Sequence, residues 1–196
     1  MSKVRRIAIF ASGNGSNAEA IMNYFNHHSQ LEVVILLSNN QGAFALERAK
    51  KFNVPTRVFD KNQFRDSNEV INWLSEFEVT HIVLAGFLWL LPEKLISLFH
   101  SRIINIHPSL LPKFGGKGMY GLKVHQAVKA AGETETGITI HEVDPMYDEG
   151  KILFQTSCKI SSSDTPELIA SKVNGLEYNH YPKIIEQWII SRDTNT

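Results

Sequence analysis

The chain has 196 residues, 43% hydrophobic and 20% charged, and its Lys plus Arg match its Asp plus Glu at 20 each. That length suits one domain with a sizeable core, and the zero balance excludes a global basic footprint for nucleic acid or anionic membrane. Cys158 is the only cysteine, which excludes an intramolecular disulfide and cysteine-based zinc sites and fits a reducing, cytoplasmic setting.

In chain order, "VRRIAIFA" is a β-rich run, and "SGNGSNAEAIMNYFNHH" reads as a glycine turn into an amphipathic helix. "LEVVILLSN" predicts a second strand, and "QGAFALERAKKFN" a helix ending at Asn53 before Pro55. "TRVFD" is a short strand, and "NEVINWLSEFE" a helix with Val70, Trp73, Leu74 and Phe77 on one face. "THIVLAGF" is a fourth strand, "LPEKLISLF" a helix opened by Pro92, and "RIINIH" a fifth strand. Near-continuous β-branched runs alternating with helices imply a parallel sheet covered on both faces.

After about residue 120 the pattern changes. "GLKVHQAVKAAG" reads as a helix ending at Gly132, "TGITIHEVD" alternates with period two, and "GKILFQTSCKI" is another strand. The last helix starts at an Asp164 or Thr165 cap, with Pro166 in its first turn, and runs to about Ile190. The expected fold is therefore α/β: a Rossmann-like, open, mostly parallel sheet with helices on both faces and antiparallel strands in the C-terminal part. The apolar run of "MSKVRRIAIFASG" is too short for a signal peptide, and no segment approaches the ~18 apolar residues of a membrane span.

The loop "FASGNGSNAEA" joins the first strand to the first helix. Gly13 and Gly15 permit close backbone approach, and Ser16 or Asn17 can cap a helix whose free N–H groups form an anion site. The spacing is not G-x-G-x-x-G, and the second strand ends in "LLSNN" without an acidic residue, which argues against a dinucleotide. A single phosphate held by Asn14, Gly15, Ser16 and Asn17 suits the loop better; an ordinary, well-capped turn stands beside that reading.

Ligands of open parallel sheets sit beyond the carboxyl ends of the strands. The fifth strand ends in Asn105 and His107, which share one side of it. An amide and an imidazole can together hold an acyl oxygen as it becomes an oxyanion, and a carboxylate is needed to tune the histidine and move protons. Asp148, in a turn ahead of Gly150, is the best candidate and Asp144 the runner-up. Strand-end histidines and turn aspartates are also common structural features. The remaining histidines lack metal-ligand spacing, so no metal is expected. The serines lack a G-x-S-x-G setting, and Cys158, mid-strand, reads as a buried structural thiol.

The segments "ASGNGSN", "VLAGFLWLL", "IINIHPSLLPKF", "GITIHEVD" with "YDEG", and "LEYNHYP" resemble, in that order and over about residues 4 to 190, the formyltransferases that use 10-formyltetrahydrofolate. Within that family the first loop and the length resemble the branch that formylates 5'-phosphoribosylglycinamide (GAR) in purine biosynthesis. "NIHPSLLP" is shared more widely, including with formyltetrahydrofolate deformylase. A methionyl-tRNA formyltransferase or a deformylase is expected to carry an additional domain.

The resemblance implies a single domain over 1–190, with a phosphate-binding half over about 1–100, a folate-binding part over about 101–190 and a polar tail at 191–196. It makes Asn105, His107 and Asp148 catalytic, puts the phosphate on Asn14, Gly15, Ser16 and Asn17, and puts the ribose hydroxyls on Glu177. Folate is expected along Leu88, Trp89 and Leu91, with Asn105 and, largely through main chain, Val143, Asp144 and Asp148. It implies small-molecule partners only (no nucleic acid, no membrane), as a monomer or homodimer. Two departures stand out. Leu88-Trp89 replaces a common Met-Arg, and "PKFGGKGMYGLKVHQAV" is longer than usual. Gly115, Gly116 and Gly118 make that segment a flap or a plain surface insertion, with Lys117 available to a phosphate or a folate carboxylate.

Overall fold

The computed structural model describes residues 4–193, which divide into two compact units at Ile104/Asn105. Among the described residues seven strands form one mixed sheet in the order β3-β2-β1-β4-β5-β6-β7. The expected class, mostly parallel with antiparallel strands at the C-terminal end, is the one observed.

The first unit contains β1 (Arg5–Phe10), α1 (Ser16–Phe25), β2 (Leu31–Ser38), α2 (Phe44–Lys50), β3 (Thr56–Val58), α3 (Lys61–Arg65), α4 (Glu69–Glu76), β4 (His81–Leu84) and α5 (Glu93–Leu98). β1 pairs in parallel with β2 and β4, and β2 with β3. Ile7 through Phe10 are wholly buried, as expected of a strand covered on both faces. Ile7, Ile9 and Phe10 each contribute roughly 1.5–3 kcal/mol by leaving water. α1 buries Ala18, Ile21, Met22 and Phe25, a single stripe at helical spacing.

Three details differ from the sequence reading. α2 ends at Lys50; Asn53 instead takes a left-handed turn, with φ 55°, after it. On α4 only Val70 and Leu74 are buried, and Trp73 and Phe77 are half-buried. α3 was not expected; five residues give too little periodicity to read, but a capping box starts it. Asp60 Oδ1 accepts from Gln63 N–H and Gln63 Oε1 from Asp60 N–H, both at 2.8 Å.

β5 (Ile103–His107) runs across the boundary between the units. The second unit continues with α6 (Leu122–Ala130), β6 (Glu135–Glu142), β7 (Ile152–Lys159) and α7 (Pro166–Asp193). β6 and β7 pair antiparallel, with a register shift between Ile140 and His141. Thr165, not Asp164, caps α7: its hydroxyl accepts from Leu168 N–H at 3.2 Å. Asp164 accepts from Ser161 N–H and pairs with Lys172. Ile169, Val173, Tyr181, Ile185 and Trp188 recur on the buried face of α7. The helix passes the expected end at Ile190, so residues 191–193 of the predicted tail are helical, and the rest of the tail lies outside the described residues. Among the described residues no helix is long and apolar enough to cross a membrane.

Candidate active site

In the first unit, the loop after β1 is built by close packing. Gly15 has φ 73°, and a Cβ there would lie 2.4 Å from Ala45 Cβ. Only glycine satisfies both constraints. Arg48 reaches over from α2: its Nε–H donates to Asn14 O at 2.8 Å, its second amino group to Asn14 Oδ1 at 3.1 Å, and it pairs with Glu19. Lys51 also holds Glu19, at 2.9 Å, and that hydrogen bond is the main reason the Glu19 carboxyl lies below its ordinary value. The sequence reading expected Ser16 or Asn17 to cap α1. Gly15 is the cap residue, and no side chain caps the helix. The first turn of α1 lies at the positive end of its dipole, with Glu19 N–H donating to Gly15 O at 2.9 Å.

Beside this loop the ends of β1, β2 and β4 are stitched together by side chains and main chain from all three strand ends. Ser12 N–H donates to Gly86 O (3.1 Å), Ser12 Oγ–H to Asn39 Oδ1 (2.6 Å), Asn40 Nδ2–H to Ser12 O (3.1 Å) and Leu88 N–H to Ser12 Oγ (3.0 Å). The "SNN" that argued against a dinucleotide acidic residue is thus a set of loop ties. Leu91 is buried and Leu88 is 46% exposed. Trp89 lies against Phe59 and Phe64, with ring centroids 6.0 and 5.8 Å away. It is also in the wall of a cavity of about 460 Å³ shared with Phe59, Lys61 and Gln63.

The second unit brings together the three residues expected to act chemically. His107 is 4% exposed. Its Nδ1 lies 3.5 Å from Asp148 Oδ2, and its Nε2 lies 2.8 Å from Phe114 O. Asn105 Nδ2 lies 3.1 Å from His141 Nε2, and His141 Nε2 lies 3.6 Å from Asp148 Oδ1. Asp148 sits at φ 57° and also accepts from Gly116 N–H at 2.9 Å.

Burial lowers the His107 pKa, and the neighbouring Asp148 charge and Phe114 carbonyl only partly offset it. Burial raises that of Asp148, but His141, the His107 charge and Gly116 N–H together outweigh it, so the carboxyl titrates below its usual value. Asp148 is therefore a firm carboxylate, whereas the cationic form of His107 costs more than in water.

The chain leaving β5 is fixed at its base. Ser109 Oγ–H donates to Lys113 O (2.7 Å), Leu111 N–H donates to Thr139 Oγ1 (2.9 Å), and Thr139 Oγ1–H donates to Ser109 O (2.7 Å). Gln155 adds a bond to Leu111 O at 3.0 Å, and the Leu111–Pro112 peptide is cis. Beyond this anchor Phe114, Gly116, Gly118 and Gly121 all have positive φ, and Lys117 is exposed.

Asp144, the runner-up carboxylate, accepts from Met146 N–H at 2.9 Å and so shapes a turn; Val143 beside it is half-buried. Glu177 is buried on α7 one turn before Tyr181, whose hydroxyl is raised well above its ordinary pKa by burial and then by Glu177. Cys158 is half-buried rather than buried, and burial raises its pKa.

Sequence reasoning did not single out His141, Thr139, Gln155 or His125. His125 on α6 is 3% exposed, and its Nδ1 has no hydrogen-bond partner among the described residues. Burial, then nearby His107, lower its pKa. Among the described residues no group of three or more His, Cys, Asp or Glu side chains is arranged to hold a metal.

A formyl transferase family model matches residues 5–185. The chain is 38% identical to the chloroplastic phosphoribosylglycinamide formyltransferase of Arabidopsis thaliana over 187 residues, 92% of this chain and 64% of that protein. It thus spans less than two thirds of that relative, and 60% of the Vigna unguiculata counterpart. With the Bacillus subtilis phosphoribosylglycinamide formyltransferase it shares 35% identity over 94% of both chains. The crystal structure of the Anaplasma phagocytophilum phosphoribosylglycinamide formyltransferase superposes with a TM-score of 0.85 at 36% identity, covering 93% of this chain and 86% of that one. The Bacillus halodurans enzyme gives 0.84 at 35%, covering 93% and 94%. With the sheet order and the Asn105, His107 and Asp148 cluster already described, these matches show that the chain belongs to the formyl transferase family.

Proposed function

We propose that the chain transfers the formyl group of 10-formyltetrahydrofolate to the amine of GAR. The observation that carries this reading is the convergence of Asn105, His107 and Asp148 in one unit of a formyl transferase family member. The glycine loop after β1, which opens α1 at the positive end of its dipole, suits the phosphate of GAR through Asn14, Gly15, Ser16 and Asn17. Glu177 is assigned to the ribose hydroxyls. Leu88, Trp89, Leu91, Val143 and Asp144 are assigned to folate, with aromatic Trp89 in place of a cation.

The amine nitrogen attacks the formyl carbon, the C–N bond to folate N10 breaks, and the amine proton ends on that nitrogen. Asn105 and His107 stabilise the oxyanion, and Asp148 orients His107 and helps carry the proton. Holding amine and carbonyl together supplies much of the rate. One requirement follows from the geometry. Both ring nitrogens of His107 face acceptors, Asp148 Oδ2 and Phe114 O. Nε2 can donate to a substrate oxygen only after the Phe114 carbonyl releases it.

The direct test follows the loss of 10-formyltetrahydrofolate by absorbance, with and without GAR. Loss that depends on GAR, matched by formyl-GAR, supports the transferase. Loss without GAR, with formate released, makes the chain a deformylase. No loss in either case returns it to a binding role on the same scaffold.

A further inference from the structure

We propose that His141 is a positioning residue that fixes the orientation of the Asn105 amide, anchoring one of its N–H groups and leaving the other for the formyl oxygen. The role in turnover rests on the transferase reading above; the anchoring itself does not.

A backbone carbonyl fixes the His141 tautomer. His141 Nδ1 lies 2.9 Å from Glu142 O, which can only accept, so Nδ1 carries the proton. In the neutral ring Nε2 is then an acceptor. It lies 3.1 Å from the Asn105 side chain, so the amide must present its NH2 end there. This settles a choice between oxygen and nitrogen that the shape of an amide leaves open. With one amide hydrogen held by His141, a second remains. The side chain of Asn105 makes no other hydrogen bond among the described residues, and the residue is half-buried.

Two features hold His141 to this task. The register shift between Ile140 and His141 is the kind of bulge that re-aims a strand side chain. The ring is only 2% exposed, so water offers it little alternative partner. Asp148 Oδ1 is the competitor, since a carboxylate would draw a proton onto Nε2, and His141 is the first of the groups that lower the Asp148 pKa. At 3.6 Å it is beyond hydrogen-bond length, whereas the amide at 3.1 Å is within it. If Nε2 carried a proton, it would oppose the amide NH2 and favour turning its oxygen inward. The amide NH2, and the donor proposed for the formyl oxygen, would then sit on the opposite side of the side chain.

The first test is the ¹⁵N NMR spectrum of the His141 imidazole in the ligand-free protein. A protonated Nδ1 with an unprotonated Nε2 supports the anchor; a protonated Nε2 overturns it, whatever the protein catalyses. The second test compares His141→Leu with His141→Gln, whose side-chain oxygen can replace Nε2 as acceptor. Melting followed by circular dichroism serves as the folding control. Leucine should lower kcat by about tenfold to a hundredfold, the scale of a misplaced reacting group, and leave both KM values within about twofold of wild type. Glutamine should recover most of that loss. A leucine variant as fast as wild type, or a glutamine variant no faster than leucine, overturns the role in turnover. If wild type itself shows no GAR-dependent formyl loss, the transferase reading falls and the NMR result alone decides the anchor.

Discussion

Two glycine-rich loops make opposite use of the same residue. After β1, Gly15 is jammed against Ala45, at 2.4 Å from a built Cβ, and Arg48 ties down Asn14. In the segment 114–121, Gly116, Gly118 and Gly121 also have positive φ, but an added Cβ at any of them would meet nothing within 4 Å. Gly15 is needed for close contact, whereas Gly116, Gly118 and Gly121 are there for backbone freedom; Gly115 beside them is itself packed, a built Cβ lying 2.5 Å from Leu111 Cδ2. One is a tightly packed turn, the proposed phosphate socket. The other reaches the proposed catalytic pair through two hydrogen bonds, Phe114 O with His107 and Gly116 N–H with Asp148.

The comparison breaks most sharply at the group the second loop holds. His107→Ala should lower kcat by ~10²–10³-fold, the scale of losing an oxyanion donor, with the far-ultraviolet circular dichroism unchanged. Steady-state kinetics with GAR checks it, and a near-normal rate would remove His107 from the mechanism. The next largest effect is expected in the socket. Gly15→Ala combines left-handed backbone with overpacking and should cost about 1–3 kcal/mol in urea unfolding, together with a raised KM for GAR. Gly118→Ala adds no clash, only the cost of a left-handed backbone. It should shift the urea midpoint less than Gly15→Ala and leave the KM for GAR near wild type. Equal penalties for the two substitutions would dissolve the distinction between the loops.

The parts legible from sequence were those with a local signature. Period and β-branched runs gave the strands, and Asn105, His107 and Asp148 stood out because polar groups ended a buried run or opened a turn. His141 lies inside "GITIHEVD", which alternates like any half-buried strand. Its setting depends on a register shift beside it and on its contact with Asn105, 36 residues away. The Phe114 contact uses a backbone carbonyl, which every residue possesses, so no side-chain pattern could announce it. Thr139 and Gln155 anchor the loop base through atoms brought together only by the β6–β7 pairing. The expected Ser16 or Asn17 cap failed for a related reason: Gly15 ends the turn in a left-handed conformation.

The smallest effect expected concerns the outer clamp of the socket. Glu19 holds Arg48 and Lys51, and its carboxyl is lowered from an ordinary value of 4.5, chiefly by the Lys51 hydrogen bond. A carboxyl with a depressed folded pKa stabilises fully above its unfolded value, and the contribution is lost as pH falls through the folded value. Lys51 is largely exposed, so this contribution is screened and should stay within ~1 kcal/mol. Glu19→Gln should therefore unfold at a slightly lower urea concentration than wild type at pH 7, and the two midpoints should converge as pH drops below the ordinary carboxylate range. The same convergence is expected on adding salt at neutral pH. Because Arg48 would remain bonded to Asn14 O, the KM for GAR should rise less than in Gly15→Ala. A rise as large would mean that charge, rather than packing, keeps the socket in shape.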